Sequence, residues 1–339
     1  MGKDTFTSHR IEDRSYVAFV KREIHERVAL GSFKESKAGE IDILVSELTS
    51  NLIKHAERGE LLYRLTWENE RDVFEIFCID NGPGMSNVPN MLRDGVSTTN
   101  TLGQGLGAIQ RLSDFSRIYS IPEWGTIVYA RVYSSPVEGI HKAKNVLENT
   151  VIEVPKPGEL VCGDGYAIRE MPGETCIFLG DGLGHGLYAQ EAVQAAIRAF
   201  HQCPVREPVE MLRFIHSNVK KTRGLVATIA CLKHKERTWR VCGIGNIHTR
   251  LFDGLSFKSF MPYNGIIGHN LPTTLNAHQA EASGNQFLVM ASDGLGTRWD
   301  LAKYPTIFKQ GASIVAAALY KDFCRGHDDA SVLVSKITI

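Results

Sequence analysis

Aspartates that stand beside apolar runs recur in the second half of the sequence. They are Asp164 in VCGDGY, Asp181 in FLGDGLGHG, Asp293 in MASDGLG, and the adjacent Asp328 and Asp329 in GHDDASVLV. Carboxylates that converge at the ends of packed strands suit hard divalent cations with water ligands. Two such cations would generate a hydroxide and bind a phosphoryl group. A single Asp-Gly dipeptide is more often a turn, so the prediction of a two-metal site depends on the joint pattern.

A second set of polar residues lies in VSELTSNLIKHA, where Glu47, Asn51 and His55 follow one another at intervals of four. This spacing puts all three on one face of a helix. A carboxylate next to a carboxamide suits a general base paired with a metal ligand. The alternative is a solvated polar helix face, which is the commoner case for an isolated helix.

Asp80 ends an apolar run in FCIDNGPGM, and Gly82 and Gly84 follow it. A carboxylate at the end of a strand, with exposed backbone beside it, could accept a hydrogen bond from the amino group of a ligand. The alternative is a turn that the aspartate initiates.

Three glycines, Gly103, Gly105 and Gly107, alternate in TLGQGLGAIQRL before an apolar helix. Backbone N–H groups at the start of a helix can bind phosphate. A dinucleotide-binding fold would put the glycines directly after a buried strand, whereas the loop-like VSTTNT precedes them, and no G-x-x-x-x-G-K-[ST] pattern occurs. The alternative is a flexible loop that leads into a helix.

Apolar periodicity predicts the elements that would position these residues. In the first half we expect helices over 13–30 and 38–56, strands over 61–67 and 73–79, a helix from Gly105, and a hairpin around 123–125. The pattern loosens near residue 140. In the second half we expect strands over 159–169, 175–180, 225–233, 238–243, 247–252, 286–291 and 331–337, and helices over 187–201, 207–221 and 312–324.

Composition limits the class of protein. A length of 339 residues is enough for two domains. Lys+Arg and Asp+Glu are both 38, which argues against nucleic-acid binding, and no apolar run approaches the ~20 residues of a membrane span. The seven cysteines form no C-x-x-C pair, so we expect buried free thiols in a cytoplasmic protein rather than a disulfide framework or a zinc site.

In their order, the motifs of the first half resemble the GHKL ATPases, and more narrowly the RsbT-like serine kinases and anti-sigma factors of bacterial partner switching. The resemblance covers roughly 10–133 and implies a two-layer α/β sandwich of the Bergerat type that binds ATP and Mg²⁺. By this resemblance Glu47 is the base, Asn51 holds Mg²⁺, and Asp80 accepts from the adenine 6-amino group. The other implied ATP contacts are Gly82, Gly84, Gly103, Gly105, Gly107 and Thr126, with 86–102 as the lid.

The second half resembles the PPM-type, metal-dependent serine/threonine phosphatases, in their SpoIIE/RsbX-like branch, over roughly 155–337. The resemblance implies a four-layer αββα sandwich with two Mn²⁺ or Mg²⁺ ions. Asp181 would bridge the ions, the Gly182 carbonyl would bind one, Asp293 and Asp328 would complete the other, and Asp164 would contribute directly or through water. Asp328 is preferred over Asp329 as the first of the pair. His185 is interpreted as a loop residue rather than a catalytic acid.

The chain is therefore expected to be an α/β (α+β) protein with a kinase-like domain over 1–138, a linker over 139–157 and a phosphatase domain over 158–339. The resemblance implies that it phosphorylates and dephosphorylates a serine or threonine on a STAS-domain antagonist protein, with no nucleic acid or membrane involved. A sigma factor or switch protein as partner, and a homodimer, are also compatible with it. Two alternatives stay open: a phosphatase with an ATP sensor, and a binding module that sequesters a partner.

Overall fold

The computed structural model describes residues 5–56, 59–91, 105–136, 146–254 and 256–338. The chain divides into two compact units, Met1–His141 and Lys142–Ile339. Gly103 and residues 92–102 of the predicted lid lie outside the described residues. Within those residues, no helix has both the length and the apolar character needed to cross a membrane.

The first unit is one antiparallel sheet with helices on one face. Its strands have the order β1-β2-β3-β5-β4 and are β1 (Thr7–Ile11), β2 (Gly59–Glu68), β3 (Arg71–Asp80), β4 (Phe115–Ile121) and β5 (Gly125–Tyr133). Its helices are α1 (Arg14–Ala29), α2 (Glu35–His55), α3 (Val88–Met91) and α4 (Gly105–Leu112).

Local chemistry explains why α1 and α2 form and lie on the sheet. Asp13 caps α1 by accepting from the backbone N–H groups of Ser15 and Tyr16. Each helix buries an apolar stripe at intervals of three and four against alternate residues of β3. The shared core includes Val20, Ile24, Val28, Ile41, Leu44, Leu48, Leu52, Phe74, Ile76 and Cys78. The predicted two-layer α/β sandwich is confirmed.

The second unit contains two five-stranded antiparallel sheets. One has the order β13-β10-β9-β8-β7, from β7 (Asp164–Met171), β8 (Glu174–Gly182), β9 (Leu225–Lys233), β10 (Thr238–Ile244) and β13 (His278–Glu281). The other has the order β12-β11-β14-β15-β6, from β6 (Leu147–Val154), β11 (His248–Phe252), β12 (Phe257–Phe260), β14 (Phe287–Ala291) and β15 (Ala330–Ile337). The helices are α5 (Leu187–Gln202), α6 (Pro208–Asn218) and α7 (Ala312–Phe323).

These elements form four layers. Helices α5 and α6 pack on the first sheet, through a core that includes Phe178, Phe200 and Leu212. Side chains of both sheets, among them Leu179, Trp239 and Leu333, form the apolar layer between the sheets. Helix α7 packs on β6 and β15 of the second sheet. The predicted αββα sandwich is confirmed.

The structure differs from the sequence prediction at residues 147–154, which were assigned to the linker. They form β6, which pairs with the whole of β15 from Leu147 opposite Ile337 to Val154 opposite Ala330. The sequence LENTVIEV has three polar residues in a row after its first leucine, so its periodicity is weak. The strand forms because β15 offers a complete partner, although Leu147 pairs with Ile337, 190 residues later in the chain (337 − 147).

The expectation of free thiols throughout is wrong for two cysteines. Cys176 on β8 and Cys231 on β9 lie directly opposite each other and form a disulfide. Both side chains are fully buried. Sequence spacing gave no sign of this pair, because the residues are 55 positions apart and meet only through sheet register. Cys78, Cys162, Cys203 and Cys242 are buried free thiols, as expected.

Candidate functional site

The first candidate site lies where α2 meets the start of α4. Glu47 and Asn51 are one turn apart on α2, and both side chains face Gly105, the first residue of α4. A β-carbon at Gly105 would lie 3.0 Å from Glu47 Oε2 and 3.6 Å from Asn51 Oδ1. The structure therefore brings a carboxylate and a carboxamide to the N-terminus of a helix, where the helix dipole favours an anion.

Asp80 organises the turn that follows β3. Its Oδ1 accepts hydrogen bonds from the backbone N–H groups of Gly82, at 2.8 Å, and Thr126, at 3.1 Å. Thr126 is buried, and its hydroxyl lies 2.9 Å from Ser120 Oγ. Ser120 Oγ in turn accepts from the backbone N–H of Met85 at 2.8 Å. This network fixes the Asp80 carboxylate and the Thr126 hydroxyl beside the same turn.

The two glycines of this turn allow neighbouring backbone segments to approach closely. A β-carbon at Gly82 would lie 2.4 Å from the carbonyl oxygen of His55, the last residue of α2. Gly84 has a φ of 68°, and a β-carbon there would lie 2.0 Å from the carbonyl oxygen of Ile121. Both positions therefore require glycine on packing grounds. His55 itself is exposed, and Gly107 is buried within α4.

The second candidate site lies at one edge of the αββα sandwich. Asp164 begins β7 and pairs directly with Asp181 near the end of β8. Asp293 follows β14, and Asp328 precedes β15. A cavity of about 370 Å³ opens between the two sheets there. Its lining is Asp181, Gly182, Leu183, Gly184, His185, Val226, Gly245, Asn246, Asn264, Gly265, Asp293 and Asp328.

Two carboxylates at this cavity have pKa values well above the usual range of an aspartate. Burial, with the charges of Asp164, Asp293 and other neighbouring carboxylates, raises the pKa of Asp181 to about 9. Burial is also the main cause that raises the pKa of Asp164 to about 7, although a hydrogen bond from Ser292 opposes it.

The same carboxylates can supply the oxygen ligands that a metal site needs. In the described part of the chain, none of Asp164, Asp181, Asp293 and Asp328 takes part in a salt bridge. Asp164 Oδ2 is buried and has no hydrogen-bond partner among the residues that the structure describes. Clustered carboxylate oxygens and an orphaned one among them fit Mg²⁺ or Mn²⁺.

The adjacent Asp328 and Asp329 point to different surroundings. Asp328 lines the cavity, and its Oδ1 accepts from the backbone N–H of Asp329 at 3.0 Å. Asp329 is only 4% exposed, and its Oδ1 accepts from the backbone N–H of Lys156 at 2.9 Å. This geometry favours Asp328 as the residue that faces a ligand.

His185 lies on the cavity wall, and its Nδ1 forms a 2.6 Å hydrogen bond with Glu159 Oε1. A local partner of this kind agrees with the interpretation of His185 as a loop residue. Sequence reasoning missed Asn246, which donates to Asp293 Oδ2 at 2.9 Å. The segment VCGIGNIHTRLF contained the residue, but its spacing gave no reason to choose it.

Comparisons with known proteins match each unit separately. Residues 12–132 match the family described as "Histidine kinase-like ATPase domain". The serine/threonine-protein kinase RsbT of Bacillus subtilis (strain 168) is 27% identical over 109 residues, which cover 32% of this chain and 80% of that protein. The phosphoserine phosphatase RsbX of the same organism is 27% identical over 152 residues, which cover 44% of this chain and 75% of that protein.

Two solved structures share a fold with this chain. RsbX in complex with magnesium has a TM-score of 0.51 at 20% identity, over 57% of this chain and 96% of that chain. A protein from work on the bacterial stressosome has a TM-score of 0.53 at 23% identity, over 57% of this chain and all of that chain. At these identities the likeness concerns the fold.

Proposed function

We propose that this chain, which joins a histidine kinase-like ATPase domain to a PPM-type phosphatase domain, is a partner-switching regulator. Its first unit transfers phosphate from ATP to a serine or threonine of a partner protein, and its second unit removes that phosphate. The partner class that fits is a STAS-domain antagonist protein. Support comes from the two relatives, since one is a kinase, the other is a phosphatase, and each resembles one unit.

In the kinase unit the residues of α2 and α4 do the chemistry. Glu47 orients or deprotonates the attacking hydroxyl, and Asn51 holds Mg²⁺ on the triphosphate. Backbone N–H groups from Gly105 onward bind phosphate. Gly103, the first of the three alternating glycines, is assigned the same role and lies outside the described residues. Asp80 accepts from the adenine 6-amino group beside Thr126. Phosphoryl transfer depends mainly on positioning and charge neutralisation, which these groups supply.

In the phosphatase unit the cavity carboxylates hold two divalent cations. When bound, the cations lower the pKa of a water molecule and neutralise the charge of the phosphoryl group. Asp181, Asp293 and Asp328 would hold the cations, and Asp164 would support Asp181 across the β7–β8 pair. Asn246 orients Asp293 through its hydrogen bond.

The observation that carries the proposal is that one chain places Glu47 and Asn51 beside the start of α4 and also places a cluster of aspartates at the cavity of its second unit. Glu47 beside Gly105 favours a kinase over an ATP sensor or a sequestering module, since neither alternative needs a base at that point. Use of ATP by the first unit favours a cytoplasmic site of action.

The experiment separates the two activities in the full chain. Transfer of radiolabelled γ-phosphate to a purified STAS-domain protein should fall at least about 100-fold in Glu47→Gln, because a positioned base contributes that much or more. Glu40→Gln is the matched control, as Glu40 lies on the same helix and pairs with Lys37 at 2.8 Å.

Hydrolysis of p-nitrophenyl phosphate with Mn²⁺ or Mg²⁺ should be lost in Asp181→Asn and kept in Glu47→Gln. Phosphate transfer that survives in Glu47→Gln would refute the assignment of Glu47 as the base. Metal-dependent hydrolysis that survives in Asp181→Asn would refute the assignment of Asp181 to the metal site. Absence of transfer or of hydrolysis in the unmodified chain would refute the corresponding activity.

A further inference from the structure

One exposed arginine, Arg223, lies beside the lining of the phosphatase cavity, where its guanidinium could bind an anion. Arg223 is in the loop between α6 and β9, and its Nη1 lies 3.1 Å from where a β-carbon of Gly184 would be. Gly184 is part of the cavity lining. The guanidinium carbon lies 4.8 Å from the centre of the Tyr188 ring, at the start of α5.

The backbone around Arg223 is held on both sides. The backbone N–H of Leu183 donates to the carbonyl of Gly224 at 3.1 Å, which joins this loop to the cavity wall. His269 Nε2 lies 2.8 Å from the carbonyl of Arg223. The position of the guanidinium is therefore set by two contacts of the backbone and one stacked ring.

Arg223 also differs from other arginines of this unit in its partners. Among the described residues it forms no salt bridge, and its side chain is exposed. Arg213 and Arg240 are paired with Glu210 and Glu207, respectively. A ring holds a guanidinium by its face and leaves the N–H groups at its edge able to bind an anion.

The cavity lining, in the part of the chain that the structure describes, contains no lysine or arginine that could bind a phosphoryl group in place of Arg223. A phosphorylated side chain that approaches the carboxylate cluster past Gly184 therefore meets Arg223. A guanidinium can bind two phosphate oxygens at once, which a lysine cannot do.

The Tyr188 ring that contacts Arg223 belongs to a stretch of chain with exposed apolar side chains. Tyr188 is 60% exposed and Leu187 is 57% exposed, directly after the loop that carries His185. Leu160, which is 98% exposed, follows Glu159, the hydrogen-bond partner of His185. Large apolar side chains clustered beside a polar cavity are typical of a protein-binding surface.

We propose that Arg223 binds the phosphoryl group of the phosphoprotein substrate, and that Tyr188 and Leu187 contact the substrate chain next to the phosphorylated residue. The occupant is thus a phosphoserine- or phosphothreonine-bearing segment with apolar neighbours. This inference rests on the proposed phosphatase function, and it adds the substrate contact that the carboxylates cannot make.

The test measures binding and turnover separately. Calorimetry with inorganic phosphate on the full chain loaded with Mg²⁺ should show about tenfold weaker binding in Arg223→Ala, since a charge-assisted hydrogen bond is lost. The KM for p-nitrophenyl phosphate should rise by a similar factor, with kcat changed less than about threefold. Arg223→Lys should fall between Arg223→Ala and the unmodified chain.

Lys221→Ala is the matched control, because Lys221 is an exposed cation in the same loop. It should stay within about twofold of the unmodified chain in both measurements if the effect is a direct contact rather than general charge. Unchanged phosphate affinity and KM in Arg223→Ala, or an equal loss in Lys221→Ala, would overturn the proposal.

The apolar contacts need a protein substrate. Leu187→Ala and Tyr188→Ala should raise the KM for a phosphorylated STAS-domain protein more than the KM for p-nitrophenyl phosphate, and Tyr188→Phe should behave as the unmodified chain does. An equal effect on both substrates contradicts the contact with the substrate chain. Failure of the proposed function would instead appear as turnover that persists in Asp181→Asn, whatever Arg223 does.

Discussion

At the scale of residues, adjacent carboxylates have separate tasks. Asp328 lines the cavity, whereas Asp329 is buried and accepts from the backbone N–H of Lys156. Burial raises the pKa of Asp329, although its backbone hydrogen bonds oppose the shift. One residue of the pair therefore serves the proposed metal site, and the other serves the fold.

Alanine substitution of Asp328 should mainly lower activity, whereas alanine substitution of Asp329 should mainly lower stability. Asp328→Ala should lower metal-dependent hydrolysis of p-nitrophenyl phosphate at least about 100-fold, as loss of a positioned catalytic group does. Asp329→Ala should lower the free energy of unfolding by about 1–3 kcal/mol, because the backbone N–H of Lys156 loses the acceptor that the buried Asp329 carboxylate provides. Urea denaturation and steady-state kinetics of both variants check this, and equal effects on stability would contradict it.

The sequence predicts the carboxylates but not their helpers. Each aspartate stands beside an apolar run, so its place at a strand end follows from local pattern. Asn246 and Arg223 have no such signature, because their importance comes from contacts with Asp293 and with Tyr188 that the fold creates. The separate roles of Asp328 and Asp329 likewise depend on which way each side chain points.

At the scale of elements, the hairpin between β4 and β5 supports the turn after β3. Gly125 begins β5 with a φ of 118°. A β-carbon there would lie 2.0 Å from the carbonyl oxygen of Asp80. The next residue, Thr126, donates to the Asp80 carboxylate, so the position of Asp80 depends on this close approach.

Alanine at Gly125 should therefore damage both stability and nucleotide binding. Backbone strain and the clash should lower the free energy of unfolding by about 1–3 kcal/mol. Gly39→Ala is the control: Gly39 lies within α2, a β-carbon there would meet nothing within 4 Å, and the change should stabilise by roughly 0.5–1 kcal/mol.

Urea denaturation of the full chain, following the transition that ATP and Mg²⁺ shift, measures both variants. A Gly125→Ala variant as stable as the unmodified chain would contradict the packing argument.

Elements with strong periodicity were predictable, and elements defined by a distant partner were not. The apolar residues of α1 and α2 recur at helical intervals. The sequence therefore predicts both helices and the face that each one buries. Strand β6 becomes a strand only through β15, and the disulfide of Cys176 and Cys231 only through the register of β8 and β9. Local pattern carries no information about such pairing.

At the scale of the whole molecule, the buried carboxylates link stability to pH and to metal. The pKa of Asp181 is raised to about 9 and that of Asp164 to about 7, against about 4 in an unfolded chain. Between these values the folded state binds more protons than the unfolded state. Without metal, its stability must therefore fall as the pH rises through this window.

Thermal unfolding of the full chain in EDTA should accordingly show the Tm of the phosphatase unit falling from about pH 5 to about pH 9. Added Mg²⁺ should raise that Tm more at the higher pH, because cations bind the ionised carboxylates. Asp181→Asn should flatten both trends, since it removes the most shifted group. A Tm in EDTA that rises with pH over this range would contradict the account.

The two proposed activities, opposed in one chain, have a further consequence. If both units act on the same residue of one partner, the sum of the two reactions is the hydrolysis of ATP. Phosphate release from ATP should then require the STAS-domain protein and both sites, so Glu47→Gln and Asp181→Asn should each abolish the partner-dependent release.

The two variants should nevertheless leave the partner in opposite states. Phosphate transfer without removal leaves it phosphorylated in Asp181→Asn, and removal without transfer leaves it unphosphorylated in Glu47→Gln. Intact-mass spectrometry of the partner, alongside a phosphate-release assay, distinguishes these states. Partner-dependent release that continues in either variant would mean that the two units do not share one target residue.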